Sequence, residues 1–311
     1  MRILVAVDGS EQSNLAVSVV ATLHWPGDTE VRVVSTIPRI SSTALDWAGL
    51  DRAIDVDDEP ARHHRLALER SKNDLATPGR LVETFALRGR AASAIVDEAR
   101  AWQADLIVIG SRGRGLWRSM LLGSVSAEVV DHAPCPVLVV RGSTVAPILF
   151  ADDGSDGARR AEAVLARWPF APGERVDVLT VVRPERAVPV QWGAGMPTEF
   201  IDDTLDQVDQ SYATAKRVAD EAAVRLADGA VVTRADVIAG DPAEVIVDIA
   251  NQRDVGLIVL GTRGHGGLAG LLLGSVARNV LLHAHCSVLV VRPGPATKRL
   301  EEPGAVASAA R

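Results

Sequence analysis

Two glycine-rich segments carry the residues best suited to binding chemistry. The first is Gly110-Ser111-Arg112-Gly113, followed after nine residues by Gly123-Ser124-Val125. The second is Gly261-Thr262-Arg263-Gly264, followed after nine residues by Gly274-Ser275-Val276. Each segment follows a strand-like apolar run and precedes a helical pattern. Glycines permit close approach of the backbone, and the N–H groups at a helix start face an anion. The spacing therefore predicts a phosphate site, and predicts it twice.

Glycines in this position also occur in ordinary tight turns and in two better-known phosphate motifs. One copy alone would favour a tight turn after a strand, but two copies with identical spacing favour phosphate. A P-loop requires a Lys, which neither segment contains. The residues Gly264–Ala269 match the letters of a dinucleotide fingerprint, yet they follow the fourth predicted strand instead of the first. Because Arg118 occupies the position of Ala269 in the first segment, we interpret this match as accidental.

A carboxylate ends the first predicted strand ahead of each segment, in Asp8-Gly9-Ser10 and in Asp153-Gly154-Ser155. In a doubly wound sheet the ligand crevice lies at the carboxyl ends of the strands. There Asp8 would bind a ribose hydroxyl or a divalent cation held by phosphate. Alternatively, Asp8 only caps or turns into the next helix, a role that Ser10 fills equally well. The two interpretations weigh about evenly and do not exclude each other.

The elements that must position these residues form two copies of one domain. Asp153 repeats Asp8 at a distance of 145 residues, and Leu257–Gly261 repeats Leu106–Gly110 at a distance of 151. A unit of this length is large enough to bury its own core. We expect a first repeat over residues 1–142, a second repeat over 145–293 and a mobile tail over 294–311.

Within each repeat, short β-branched runs alternate with helical patterns, as in an α/β fold with a parallel sheet. Unbroken apolar runs such as Leu106–Ile109 suit strands that helices cover on both faces. Apolar residues at helical spacing predict helices near 91–102 and 201–227, whereas 38–60 and 183–200 are typical of loops. The strands predicted for the first repeat are 2–7, 30–36, 81–86, 105–109 and 136–141.

The composition excludes several classes of protein. The chain has 311 residues and a net charge of −7, so a surface that coats nucleic acid is not expected. No apolar run reaches the roughly 18 residues of a membrane span, and the first residues show no signal-peptide pattern. The two cysteines, Cys135 and Cys286, occupy equivalent positions, which indicates packing in a reducing compartment. We therefore expect a cytoplasmic protein that binds neither nucleic acid nor membrane.

Taken together, these features resemble the universal stress protein family in its tandem, two-domain form. The resemblance rests on the two Ala-x-Asp-Gly-Ser starts, the two Gly-x2-Gly-x9-Gly-Ser segments and the two Val-Leu-Val-Val-Arg endings, and it covers about 1–142 and 145–293. It implies two tandem Rossmann-like domains of the α/β class, each a five-stranded parallel sheet of order 3-2-1-4-5 flanked by helices. It also implies the ATP-binding branch of the family and a role in the stress response.

The resemblance further implies which residues would hold ATP together with Mg²⁺. Asp8 and Asp153 would approach the ribose or the metal-bound phosphates. The base would lie at the end of the second strand, near Ser35-Thr36 in the first repeat, at site one, and near Thr180-Val181 in the second repeat, at site two. The residues that would hold phosphates and ribose are Gly110, Gly113, Gly123, Ser124 and Val125 in site one, and Gly261, Gly264, Gly274, Ser275 and Val276 in site two.

The two sites differ in charge. Site one has three arginines between Arg112 and Arg118, whereas site two has Arg263 and a histidine. Each extra cation contributes about 1 kcal/mol or less if exposed, so we expect site one to hold phosphate more strongly. Asp152 also replaces the apolar Val7. It would weaken a triphosphate without Mg²⁺ if it points into the crevice, and would have no effect if it points away.

These observations favour a nucleotide-dependent regulator with at most slow ATP hydrolysis and no assigned catalytic or metal-binding side chain. An adenylyl-transferring or pyrophosphatase enzyme of the same α/β group is a second hypothesis, although it would need a further catalytic constellation. An interaction scaffold with empty sites is a third, and the intact glycine segments count against it. His63 and His64 lie on a charged helical pattern and are expected to be solvated.

The closing strands Val137–Arg141 and Val288–Arg292 are strongly apolar, and an open apolar edge invites pairing. The family resemblance implies that these strands pair between domains. We therefore expect them to pair antiparallel inside one chain, as a pseudo-twofold dimer of domains. Whether two chains also form a homodimer is left open by the sequence.

Overall fold

A computed structural model describes residues 1–37, 58–113, 122–171, 173–183, 198–227, 232–262 and 273–294. For residues 58–60, 198–206 and 232–233 it describes the backbone alone. The elements of the first repeat are β1 (Arg2–Ala6), α1 (Glu11–Thr22), β2 (Glu30–Ile37), α2 (Asp58–Leu75), β3 (Leu81–Arg88), α3 (Ala91–Ala101), β4 (Leu106–Gly110), α4 (Ser124–His132) and β5 (Val137–Val140). Those of the second are β6 (Ile148–Ala151), α5 (Asp156–Leu165), β7 (Arg175–Val182), α6 (Thr198–Leu226), β8 (Val232–Ala239), α7 (Pro242–Gln252), β9 (Leu257–Gly261), α8 (Ser275–His283) and β10 (Ser287–Val291).

The strands of the described residues form one sheet in the order β3-β2-β1-β4-β5-β10-β9-β6-β7-β8. Within each repeat all neighbours are parallel, and both repeats have the order 3-2-1-4-5, so the predicted fold class is confirmed. β1 is central, because Ile3 lies between Val31 of β2 and Leu106 of β4. The winding reverses between β1 and β4, so their carboxyl ends open a crevice.

β5 and β10 join the two repeats. They run antiparallel, with Leu138 opposite Leu289 and Val139 opposite Val288. Every residue of both strands is buried. Neither strand therefore presents the open apolar edge that invites another chain, and β3 and β8 form the outer edges of the sheet.

Helices cover both faces of the sheet, which explains why the inner strands are almost entirely apolar. Along β1, Ile3 and Val5 pack with the layer of α1, α2, α5 and α6. Leu4 and Ala6 pack with the layer of α3, α4, α7 and α8. This alternation follows the period of two that a strand imposes on its side chains.

The predicted strands of the first repeat agree with the structure to within two residues at each end. The predicted helices 91–102 and 201–227 correspond to α3 and α6. The predicted loops 38–60 and 183–200 overlap the first three residues of α2 and α6. Most of their other residues lie outside the described part of the chain, as do residues 295–311 of the predicted tail. Within the described ranges, no helix combines the length and apolar character needed to cross a membrane.

Candidate functional site

A cavity of about 390 Å³ opens at the carboxyl ends of β1, β2 and β4, where the strand order reverses. It lies at site one of the first repeat. The predicted residues that line it are Asp8, Thr36, Gly110, Arg112, Gly113, Gly123, Ser124 and Val125. The structure thus brings the whole predicted set for site one around a single cavity.

One wall of the cavity is apolar and was not predicted. Val34 of β2, Ile95 of α3 and Ile109 of β4 belong to it. Thr36 also lines the cavity, and its buried hydroxyl has no hydrogen-bond partner among the described residues. Leaving a buried hydroxyl unpaired is unfavourable, and a bound polar group would remove that cost. The wall therefore suits a flat apolar group with a hydrogen-bonding edge.

Another side of the cavity is the start of α4. Gly123 is its N-cap residue and supplies no side-chain cap, so the first N–H groups of the helix lack that partner. Ser124 and Val125 line the cavity at this point. The hydroxyl of Ser126 donates to the carbonyl of Gly110 at 2.8 Å and so does not cap the helix either. An uncapped helix start is electropositive and attracts an anion.

Helix packing, which the phosphate hypothesis did not include, also requires a glycine at position 110. A Cβ at this position would lie 2.7 Å from the backbone carbonyl of Gln12 in α1. In the second repeat, a Cβ on Gly261 would lie 2.5 Å from the carbonyl of Gly157 in α5. These two glycines allow a helix to pack closely on the end of a strand, beside the crevice.

Gly113 and Gly123 bring the loop after β4 against Asp8 and α4. A Cβ on Gly113 would lie 2.6 Å from Oδ2 of Asp8. The amide of Gly123 donates to the carbonyl of Ser111 at 2.7 Å, and a Cβ there would be 3.4 Å from Cα of Arg112. Side chains at either glycine would therefore enter the space between the loop, Asp8 and the helix start.

Asp8 lies in the crevice, and Ser10 caps the following helix. Oδ1 of Asp8 accepts the N–H of Ser10 at 3.0 Å, and the hydroxyl of Ser10 accepts the N–H of Ser13 at 3.2 Å. Gly9 between them has a φ of 77°, a conformation that favours glycine. The turn thus directs Oδ2 of Asp8 towards the Gly113 loop.

The expectation that His63 and His64 are solvated is wrong. His64 is buried, and its Nδ1 lies 2.7 Å from the hydroxyl of Ser35. His63 is partly buried, with Nε2 3.0 Å from the carbonyl oxygen of Asp8. Sequence reasoning missed both because the charged residues of α2 dominate its pattern. The signal was the helical spacing of His64 with Leu68 and Leu75, which face the sheet.

In the second repeat, only some of the predicted site-two residues line a common groove. The site-two residues that the structure describes are Asp153, Val181, Gly261, Gly274, Ser275 and Val276, whereas Arg263 and Gly264 lie outside the described residues. Gly274 begins α8, again without a side-chain cap. Asp153 and Val181 line a groove of about 730 Å³ beside α6. Within the described residues, the glycines of site two do not line this groove.

Asp152 lies within electrostatic range of Glu162 in α5 and Arg225 in α6, and it is not part of the described lining of that groove. It is 5% exposed, and its Oδ1 accepts the N–H of Gly154 at 2.8 Å. Burial raises the pKa of its carboxyl group to about 6, and the charge of Glu162 acts in the same direction. Arg225 opposes this increase while it binds Glu162 at 2.5 and 2.9 Å. Of the two alternatives for Asp152, the structure thus favours the one without effect on a bound phosphate.

The described residues contain no cluster of side chains suited to binding a metal ion. No group of three or more His, Cys, Asp or Glu residues is placed there to hold an ion. Asp8 is the one acidic residue of the described cavity lining. Cys135 is buried, and burial raises the pKa of Cys286 to about 11, so that its thiol stays protonated.

Comparison with known proteins gives a consistent result over both repeats. The sequence profile of the universal stress protein family matches residues 1–141 and 145–292. A universal stress protein of Mycolicibacterium smegmatis is 30% identical over 94% of this chain and 97% of its own length. One of Mycobacterium tuberculosis is 32% identical over 61% of this chain and 62% of its own length.

Solved structures show the same fold. The crystal structure of a universal stress protein from Archaeoglobus fulgidus superimposes with a TM-score of 0.61, covering 94% of this chain and 98% of that one at 20% identity. A functionally unknown protein from Pseudomonas aeruginosa reaches a TM-score of 0.58, covering 96% of this chain and 95% of that one at 18% identity. At these identities the likeness concerns the fold alone.

Proposed function

Because the chain belongs to the universal stress protein family, we propose that its first repeat binds ATP in site one and thereby acts as a nucleotide-dependent regulator in the stress response. The observation that carries this proposal is the uncapped start of α4 beside a glycine-lined cavity with an apolar wall. A helix start of this kind binds phosphate, and an apolar wall with few polar groups suits a base. ATP combines both chemical features.

Each part of the nucleotide has a counterpart in the cavity. The base lies against Val34, and its hydrogen-bonding edge reaches the hydroxyl of Thr36, which has no partner among the described residues. The ribose lies beside Asp8, whose carboxylate accepts hydroxyl hydrogens. The phosphates meet the first N–H groups of α4 and the guanidinium of Arg112, which lines the cavity. This placement uses the only strong cation in the described lining and the electropositive helix start together.

Mg²⁺ fits this arrangement as a partner of the phosphates. Magnesium in nucleotide sites takes one or two protein carboxylates and otherwise phosphate oxygens and water. Asp8 is the carboxylate that the described lining offers for this role. When bound, the ion would offset the negative charge of the phosphates. Asp8 would orient either the ion or the ribose.

We propose at most slow ATP hydrolysis. Fast phosphoryl transfer needs a group that orients the attacking water as well as cations on the transferred phosphate. In the described lining, Asp8 already accepts the N–H of Ser10 at 3.0 Å, and Arg112 is the one cationic side chain. These features favour a regulator over an adenylyl-transferring or pyrophosphatase enzyme.

Site two is proposed to bind nucleotide more weakly. Val181 occupies the position of Thr36 and offers no hydroxyl to the base. The loop that contains Arg263 also has fewer arginines than the loop of site one. Asp152 is not part of this difference, because it is buried and does not belong to the described lining of the second groove.

Calorimetric titration of the full chain tests the proposal. The titrants are ATP with and without Mg²⁺, AMP and adenosine. We expect one or two ATP molecules per chain and at least about tenfold weaker binding of adenosine, since it lacks the groups that the α4 start would hold. Folded protein that binds no ATP would overturn the proposal and favour the scaffold hypothesis. Equal affinity for ATP and adenosine would show that the phosphates are not held.

We also propose that residues 1–142 and 145–293 are two domains that one chain joins through β5 and β10. The separate family matches over 1–141 and 145–292 support these boundaries. The antiparallel register of β5 and β10 supports their pairing within one chain. Because β5 and β10 pair with each other, their apolar edges are covered within one chain. A homodimer would therefore have to form through a different surface.

A further inference from the structure

The two repeats contact each other through helix ends as well as through the sheet. Arg292 follows β10, and its Nη1 donates to the carbonyl of Val130 in α4 at 2.5 Å. Arg141 follows β5, and its Nη2 donates to the carbonyl of Leu281 in α8. The two arginines are 151 residues apart, as are the two carbonyls. Each repeat thus sends one arginine to the last turn of a helix in the other.

The carbonyl of Val130 needs an outside donor. The last carbonyl groups of a helix have no intrahelical partner, and Pro134, four residues after Val130, has no N–H to donate. The N–H of Ala133 bonds instead to the carbonyl of Val129 at 2.8 Å. Arg292 therefore supplies the hydrogen bond that the chain of α4 itself cannot make.

The contact is closely packed. A Cβ on Gly294 would lie 2.1 Å from the carbonyl oxygen of Pro134, so the segment after β10 runs directly against the end of α4. On the other side of the pseudo-twofold axis, the N–H of Arg141 donates to the hydroxyl of Ser287 at 3.1 Å. Burial lowers the pKa of its guanidinium to about 10, and the like charge of Arg112 acts in the same direction. Arg141 thus joins the end of β5 to β10 and α8 of the other repeat.

We propose that Arg292 is a positioning residue for site one and that Arg141 has the same role for site two. Each arginine holds the C-terminal end of the helix whose uncapped N-terminal end faces the phosphates of the other repeat. This inference rests on the proposed nucleotide site. It adds that each site is completed by a residue of the opposite repeat.

The physical reason is the helix dipole. α4 has nine residues, and its C-terminal end carries a partial negative charge that reduces the positive potential at its start. A guanidinium on the last carbonyl offsets that charge and fixes the axis of the helix. Bound phosphate and Arg292 therefore stabilise the same helix from its two ends. Because such coupling is reciprocal, phosphate in one repeat strengthens the contact with the other.

Calorimetry on the full-length variant Arg292→Gln tests this role with ATP and adenosine as the probes. We expect ATP to bind site one about two- to fivefold more weakly, as the loss of one charge at a helix end implies, and adenosine to bind unchanged. Arg292→Lys keeps the charge and should retain most of the ATP affinity. Arg292→Met keeps the aliphatic stem and is the second variant if Arg292→Gln does not fold by circular dichroism.

Arg278→Gln combined with Asp131→Asn is the matched control. Arg278 of α8 pairs with Asp131 of α4 at 3.2 Å across the same boundary, and removing both members leaves the net charge at the end of α4 unchanged, so the ratio of ATP to adenosine affinity should equal that of the wild type. An unchanged ratio in Arg292→Gln, or an equal decrease in the double variant, would overturn the positioning role while leaving ATP binding intact. Absence of ATP binding by the wild type would instead overturn the proposed function, and the positioning role with it.

Discussion

At the scale of single residues, Thr36 and Val181 mark the clearest difference between the two sites. Thr36 places a buried hydroxyl without a described partner in the cavity of site one. Val181 has a similar shape but no hydroxyl, so it can pack at the corresponding position without that cost. A residue that is unfavourable for folding yet lines a cavity is a candidate for ligand recognition.

Thr36→Val is therefore expected to affect folding and binding in opposite directions. Removing an unpaired buried hydroxyl should raise the free energy of unfolding by about 1 kcal/mol, and losing its bond to the base should weaken ATP binding about three- to tenfold. Chemical denaturation and calorimetry measure the two effects. Val181→Thr is the matched control in the second repeat. A variant that is less stable and binds ATP normally would contradict this role.

The raised pKa of Asp152 predicts how the free energy of unfolding depends on pH. Its folded pKa of about 6 lies above the ordinary value of 3.8, so the folded state takes up a proton as the pH falls from about 6 to about 4. The cost of the buried charge is thus fully present above pH 6 and disappears below pH 4. Asp152→Asn should raise the free energy of unfolding at neutral pH by at most about 2 kcal/mol. Denaturation curves at several pH values should show this gain shrinking towards about pH 4; a gain that is constant with pH would contradict the assignment.

The sequence could reveal some of these residues and not others. Asp8 and the glycine segments stand out because they recur with the same spacing. The apolar wall with Ile95 does not, because its residues have the same pattern as ordinary core. His64 was obscured by the charged residues around it, although it is buried against Ser35. Residues whose roles depend on a neighbour from a distant element give at most a weak local signal, as the helical spacing of His64 shows.

At the scale of elements, four of the described helix starts show two contrasting arrangements. α1 and α5 begin with Ser10 and Ser155, whose hydroxyls accept the N–H groups of Ser13 and Ala158. α4 and α8 begin with a glycine and have no side-chain cap. The capped helices are closed to an anion by their own side chains, whereas the uncapped ones leave their first N–H groups available.

Two serine variants separate these kinds of helix start. Ser10→Ala removes a cap and should lower the free energy of unfolding by about 1 kcal/mol without weakening ATP binding. Ser124→Ala removes no cap and should leave stability within about 0.5 kcal/mol of the wild type. It should nevertheless weaken ATP binding about threefold, the effect of one lost hydrogen bond. Thermal unfolding with calorimetry measures both, and a reversed pattern would contradict the assignment of α4 to the phosphates.

Element type and order could be predicted closely from the sequence, because strands and helices have different apolar periods. The length of α6 is an example: apolar residues at helical spacing predicted 201–227, and the helix spans Thr198–Leu226. The close contact of Gly110 with Gln12 could not be predicted. A glycine after a strand has the same appearance whether it contacts a ligand or a helix.

At the scale of the whole molecule, β5 and β10 make one sheet out of two repeats. Their identical Val-Leu-Val-Val runs gave the sequence signal for pairing, and the structure supplies the register, with Val139 opposite Val288. The sequence showed Arg141 and Arg292 only as the final residue of a repeated motif and gave no indication of their contacts. Their contacts with α4 and α8 depend on the angle between the repeats, which no local pattern encodes.

A cysteine pair tests this pairing in solution. Residues directly opposite in an antiparallel pair have Cα atoms about 4.5–5.5 Å apart, within the range of a disulfide. Val139→Cys with Val288→Cys, in a background with Cys135 and Cys286 changed to Ala, should form an intramolecular bond on oxidative refolding. Non-reducing electrophoresis with mass spectrometry detects it, and Val139→Cys alone is the control. Covalent dimers in place of linked monomers would show that the strands pair between chains.

ATP calorimetry on Gly123→Val tests whether the start of α4 holds the nucleotide. Gly123 has an ordinary φ of −78° and begins α4, so valine strains the backbone little while its side chain fills the space at the helix start. Gly27→Val is the control, because a Cβ there meets no atom within 4 Å. We predict that Gly123→Val stays folded and loses at least about tenfold in ATP affinity, while Gly27→Val binds as the wild type does. Undiminished ATP binding by folded Gly123→Val would contradict the claim that the start of α4 holds the nucleotide.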